Sequence, residues 1–117
     1  AHFNSAYVKV AINDYLKMII GAQSKDARVY IYGAGSHTRD LLENIERQDY
    51  NIQGILDKNK FLVGNYIEGY PICAVDQLDD NNFDKIIISS ATYENEIYDE
   101  LTNRFDATKI EKFYSFG

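Results

Sequence analysis

The chain has 117 residues, 45% of them hydrophobic and 26% charged, with 1 proline and 7 glycines, enough for one small domain with its core and too little proline and glycine for a linker-rich or disordered chain. A formal net charge of -6 speaks against a general nucleic-acid binder, which needs a basic surface to displace counterions. Cys73 is the 1 cysteine, which excludes an intrachain disulfide and a four-cysteine zinc site and fits a reducing, cytoplasmic setting.

In chain order, "SAYVKVAINDYLKMII" at 5–20 places Val8, Ala11, Ile12, Tyr15 and Ile19 at the spacing of an amphipathic helix, with Gly21 as its stop. "VYIY" at 29–32 is short, β-branched and aromatic, and predicts a strand buried on both faces, as in a parallel sheet. A helix is expected over 36–48, with Ser36 as N-cap and Thr38, Leu41, Leu42 and Ile45 as its inner face. "YNIQGILD" at 50–57 reads as a second strand ending at Asp57, and turn signals follow at Asn59, Gly64-Asn65 and Gly69. Pro71 suits "YPIC" to a short edge strand, where one N–H is dispensable. "AVDQLDDN" predicts one or two helical turns, and "DKIIISS" at 84–90 is the clearest buried strand. "YENEIYDELTNRF" is expected to be helical, with Tyr93, Ile97 and Leu101 on one face, and "KIEKFYSF" closes as a last strand.

This alternation predicts an α/β domain: a doubly wound, mainly parallel sheet of about five strands with helices on both faces and an extra N-terminal helix. Right-handed crossovers give the spatial order third, second, first, fourth, fifth strand. The expected organisation is one domain over 1–117, with the helix at 5–20 preceding an α/β core at 28–117, cut from a longer protein. The start "AHFNSAYVKV" lacks the basic region and long apolar core of a secretory signal, and no apolar run reaches the roughly 18 residues of a membrane span.

In such a sheet the ligand crevice lies at the carboxyl ends of the strands, where strand order reverses. Three segments converge there: "GAGSHT" after the first strand, Asp57-Lys58-Asn59 after the second, and "SSATYEN" after the fourth. Gly33 permits a tight turn, and Gly35 lets a phosphate approach the backbone beside Ala34, Ser36 and His37. Thr38 stands where the usual glycine fingerprint has its third glycine, and its hydroxyl can bond back into the turn. Asp57 lies where a dinucleotide site places the acid that binds a ribose hydroxyl, or else it opens a turn with Asn59 behind it. His37 reads as a phosphate donor, a general base or a solvated first-turn residue, and Arg39 as a phosphate-side cation or an exposed, unpaired arginine. Ser89, Ser90 and Thr92 are ligand donors or caps of the following helix, whose first-turn Glu94 and Glu96 complement its dipole. A Tyr-x-x-x-Lys pair, a Gly-x-Ser-x-Gly elbow and a Gly-x-x-x-x-Gly-Lys-Ser/Thr loop are all missing from the sequence.

"VYIYGAGSHTRDLLENI", "IQGILDKN", "GYPICAVDQL" and "DKIIISSATYENEIYDEL" together resemble the small Rossmann-like domain of bacterial surface-polysaccharide and nucleotide-sugar modifying enzymes, found beside sugar acetyltransferase, methyltransferase and glycosyltransferase domains. The resemblance implies a cofactor-binding site for NAD or a UDP-sugar, with Gly33, Gly35, Ser36 and His37 at the nucleotide phosphate and Asp57 near the ribose. The chain carries no hexapeptide repeats and no methyltransferase domain, so the expected role is non-catalytic nucleotide binding beside a catalytic domain. The alternatives are a ligand-free module that docks such a domain or forms a homodimer, and an enzyme acting through His37.

Overall fold

The computed structural model describes residues 6–22 and 24–115. Chain order is α1 (Ala6–Ile20), β1 (Arg28–Tyr32), α2 (Ser36–Asn44), β2 (Asn51–Leu56), β3 (Tyr66–Ile67), β4 (Tyr70–Cys73), β5 (Lys85–Ile88), α3 (Glu94–Thr102) and β6 (Ile110–Lys112). The sheet has 6 strands in the order β3-β4-β2-β1-β5-β6. All neighbours pair in parallel except β3 with β4. Leaving β3 aside, this is the strand order expected from right-handed crossovers, with the reversal at β1.

Each strand divides its side chains between two cores, because successive residues point to opposite faces. On one face Val29, Ile31, Ile55, Ile72 and Ile87 pack with Ile12, Leu16, Ile19 and Ile20 of α1 and with Leu41 and Leu42 of α2. On the other, Tyr32, Leu56, Ile86 and Ile88 pack with Leu101 of α3, Phe83, Phe105 and Ile110. The isoleucine run of β5 is wholly buried on both faces, as a central parallel strand requires. Gly54 in β2 marks a close approach: a β-carbon there would stand 2.9 Å from the Pro71 carbonyl oxygen and 3.1 Å from Cys73 Sγ. The missing side chain is what lets β4 lie against β2.

Several boundaries differ from the sequence-based expectation, each for a local reason. Residue 5 of the expected first helix lies outside the described residues, as does residue 116, the last of the expected final strand. The second helix stops at Asn44 rather than 48. Buried Asn13 of α1 ends it: its amide donates to the Asn44 carbonyl (3.1 Å) while its Oδ1 accepts from Glu46 N (2.9 Å) and the Tyr50 hydroxyl (2.9 Å). A tertiary partner thus satisfies groups that another helical turn would have used. "YPIC" is not the edge. The strand β3, formed by Tyr66 and Ile67, hooks outside it as a short antiparallel hairpin. Pro71 is tolerated because the pairing of β4 with β2 begins one residue later, at Ile72 opposite Ile55. "AVDQLDDN" forms a single 3-10 turn at Val75–Gln77, and the last strand is confined to Ile110–Lys112. No helix among the described residues is long and apolar enough to cross a membrane.

Candidate nucleotide site at the strand-order reversal

The carboxyl ends of β1, β2 and β5 meet where strand order reverses. Gly33 takes φ +120°, a conformation that favours glycine, and its N–H donates to the Leu56 carbonyl (2.8 Å), tying the turn to β2. The Thr38 hydroxyl, fully buried, donates back to the Gly33 carbonyl. Thr38 therefore replaces the third glycine of a dinucleotide fingerprint with a side chain that braces the turn from the first helical turn. Asp57 braces it from the other strand: Oδ2 accepts from Ala34 N (2.8 Å) and Oδ1 from Asn59 N (2.9 Å). Asp57 thus opens the turn expected with Asn59 behind it, and it also lines the crevice. Each oxygen keeps a second lone pair for a ligand hydroxyl.

Gly35, not Ser36, is the N-cap of α2, and no side chain caps this helix. Ser36 is the first helical residue, exposed like Gly35 and His37. The start of a helix leaves its first N–H groups without intrahelical partners, here those of Ser36, His37 and Thr38. Gly35 has an ordinary extended conformation (φ -119°), and a β-carbon added to it would meet nothing within 4 Å. Neither the turn nor the packing demands a glycine at this position, whereas the approach of a ligand to the backbone would.

The remaining predicted residues divide. Ser90 lies at the crevice, and its Oγ accepts from Tyr93 N (3.3 Å), closing the turn that leads into α3 without capping the helix itself. Ser89 does not reach the open crevice: it is 5% exposed, and its backbone N–H extends the sheet to the Tyr32 carbonyl (2.9 Å). Arg39 is neither unpaired nor aimed at the turn, because it pairs with Glu68 at 3.7 Å. His37 is held from outside: its Nδ1 shares a 3.0 Å hydrogen bond with the Tyr114 hydroxyl, and the two rings meet edge to face at 5.8 Å.

Beside the glycine turn, on the α3 side of the sheet, lies an open cleft of about 490 Å³. Tyr32, Gly33, Asp57, Lys58, Ser90, Tyr93, Glu96, Ile97 and Glu100 line it. A smaller hollow of about 180 Å³ continues toward the end of β4, bounded by Lys60, Val75, Asp76 and Arg104. Burial, with Glu100 and Asp57 close by, pushes the Tyr32 phenol up to about 12, so it stays a neutral donor. The cleft thus offers three carboxylates for hydroxyl groups, one lysine, and aromatic and aliphatic surface for a flat ring. Among the described residues no group of three histidine, cysteine or acidic side chains is arranged to hold a metal ion.

The Tyr93, Ile97 and Leu101 spacing located the face of α3 that borders this cleft, but the carboxylates of Glu96 and Glu100 read as ordinary surface charge in the sequence. Glu94 was also missed. It is 4% exposed, its Oε2 accepts from Tyr114 N (2.8 Å) and its Oε1 accepts from the Ser115 hydroxyl. Nothing local in the sequence marks a first-turn glutamate as buried; its partners are 20 residues away in the chain.

The glycine turn at the strand-order reversal, the brace from the end of β2 and the crevice beside them define a Rossmann-like α/β domain. A family model described as C2185-like, N-terminal, matches residues 25–111, and the chain belongs to that family. No curated protein matches the chain. Among solved structures, a Rex-family repressor, RSP, is similar at 22% identity with a TM-score of 0.57, over 90% of this chain and 60% of that one. RSP in complex with beta-NADH matches at 22% identity and a TM-score of 0.55, over 90% of this chain and 61% of that one. RSP in complex with beta-NAD+ and operator DNA matches at 24% identity and a TM-score of 0.51, over 82% of this chain and 46% of that one. The likeness is one of fold, and the chain spans about 60% of the first of these repressor chains.

Proposed function

We propose that the chain is a nucleotide-binding domain, taking NAD or a nucleotide-sugar, that carries no chemistry of its own and serves a cytoplasmic bacterial protein of sugar or polysaccharide modification. The observation that carries the binding reading is Gly35, a glycine that the fold does not need, set at an uncapped helix start beside the crevice. The N–H groups near Ser36 and His37 would hold the phosphate, and Asp57, already fixed by the turn, would take a ribose hydroxyl. The NADH and NAD+ complexes of the similar repressor support a nucleotide in a fold of this kind. The sugar-modifying setting rests on the sequence resemblance, and the net charge of -6 favours a small-molecule partner over nucleic acid.

Titration calorimetry with NAD and with UDP-glucose tests this reading. One of them is expected to bind, and Gly35→Val is expected to abolish that binding while leaving the urea midpoint unchanged. Absence of binding by both up to about 1 mM, a free energy near 4 kcal/mol, overturns it. A second reading, an interaction module, is favoured by Tyr7, Val10 and Met18, which stand 83%, 61% and 57% exposed along one face of α1. It requires a concentration-dependent dimer in sedimentation that Val10→Glu dissolves.

A further inference from the structure

Tyr32 closes β1, one residue before the glycine turn. Its ring fills the core beside Leu56, Ile86, Ile88 and Leu101, and the residue is only 5% exposed. Its hydroxyl nevertheless makes no hydrogen bond among the described residues. No side-chain oxygen or nitrogen buried among those residues lacks a partner, so this oxygen is where the side chain reaches the surface. That surface is the floor of the crevice, since Tyr32 lines both the cleft and its smaller continuation. A phenylalanine would fill the same core space, so the fold has no use for the hydroxyl, and a polar atom on an otherwise buried side chain calls for a partner.

Around that oxygen the cleft is rich in acceptors. Glu96 and Glu100, one turn apart on α3, engage in no hydrogen bond or ion pair among the described residues, and Asp57 stands opposite them. Burial first, then Glu100 and Asp57, keep the phenol protonated, so it donates. Carboxylates only accept, so the group that fills the cleft has to be rich in donors and free of negative charge. A sugar ring meets both conditions: its hydroxyls donate to the carboxylates, and one of them accepts from the phenol. Tyr93, 57% exposed, and Ile97 give the C–H face of such a ring an apolar wall. The geometry points to a sugar subsite in this cleft, in which the Tyr32 hydroxyl donates to one of two adjacent ring hydroxyls and the carboxylates of Asp57 and Glu100 accept from them. The ring is either the nucleoside's own ribose or a sugar carried on its outer phosphate. The inference rests on the nucleotide-binding reading above and adds to it the group that reads the sugar.

Calorimetry of the full chain and of Tyr32→Phe with ADP, NAD, UDP and UDP-glucose tests it. Tyr32→Phe is expected to weaken binding by about fivefold, the worth of one hydrogen bond, while leaving the urea midpoint of the free protein unchanged or slightly raised. Equal weakening of a diphosphate and its sugar-bearing counterpart assigns the subsite to the nucleoside's ribose. Weakening of NAD or UDP-glucose alone assigns it to the outer sugar. Affinities that stay within about twofold for every ligand that binds overturn the inference and leave the nucleotide site standing. A lowered urea midpoint in Tyr32→Phe overturns it too, because the hydroxyl then serves the fold. Binding of none of the four to the unmodified chain overturns the site and the inference together.

Discussion

The glycine turn assigns different duties to neighbouring residues that look alike in the sequence. Gly33 is required by its conformation: at φ +120° any side chain is strained, and a β-carbon would also stand 3.4 Å from the Ser89 carbonyl oxygen. Gly33→Ala is therefore expected to cost about 2 kcal/mol of stability in urea unfolding. Gly35 carries no such constraint, so its substitution separates ligand approach from folding. Thr38 has a third duty. Its γ-hydroxyl is fully buried and bonds the Gly33 carbonyl, so Thr38→Val keeps the shape and removes the bond. A loss of about 1 kcal/mol is expected, recovered in Thr38→Ser apart from the missing methyl. The Gly-x-Gly spacing and the turn itself were legible from residues 33–38. That Asp57 would spend both oxygens on backbone N–H groups was not, because that depends on how far β2 extends past β1.

At the scale of elements, the amino ends of β1 and β5 are locked by one ion pair. Asp84 Oδ2 accepts from Arg28 N (2.7 Å) and from Arg28 Nε (3.1 Å), and Oδ1 from a terminal guanidinium nitrogen (3.3 Å). The Arg28 guanidinium, with the backbone N–H beside it, holds the Asp84 carboxyl below its ordinary 3.8. A carboxyl lowered in the folded state stabilises fully above the unfolded value, and that contribution fades as pH falls through the folded one. Both side chains are more than 40% exposed, so solvent keeps the effect small. Asp84→Asn is expected to lower the thermal midpoint at neutral pH, with the gap to the unmodified chain closing between about pH 5 and about pH 3. The strands were legible because β-branched runs such as Ile86–Ile88 fit a sheet buried on both faces. The early stop of α2 and the β3 hairpin were not. The first depends on Asn13, 31 residues upstream of Asn44, and the second has only two residues in its outer strand, too few for any periodicity.

For the molecule as a whole, α1 is part of the core although the family match begins after it, at residue 25. Ile12, Leu16, Ile19 and Ile20 are buried in the same cluster as β1 and α2, and Asn13 ties the helix to the end of α2. Leu16 is 2% exposed. Leu16→Ala is expected to cost about 3 kcal/mol, with far-ultraviolet circular dichroism and tyrosine fluorescence moving through a single coincident urea transition. Separate transitions would mean that α1 folds as its own unit, against the shared core.

Residue patterning by itself determined the alternation of strands and helices, the order of the five long-range strands and the place of the glycine turn. These follow from periodicity, chirality and glycine's conformational freedom, which act over a few residues at a time. Only the tertiary structure decided how the end of the chain is fastened over the carboxyl end of β5. The carboxylate of Glu94, the phenol of Tyr114 and the ring of His37 meet from three segments far apart in the chain. Their meeting is set by the width of β5 between β6 and β1, a distance that exists only once the sheet has formed.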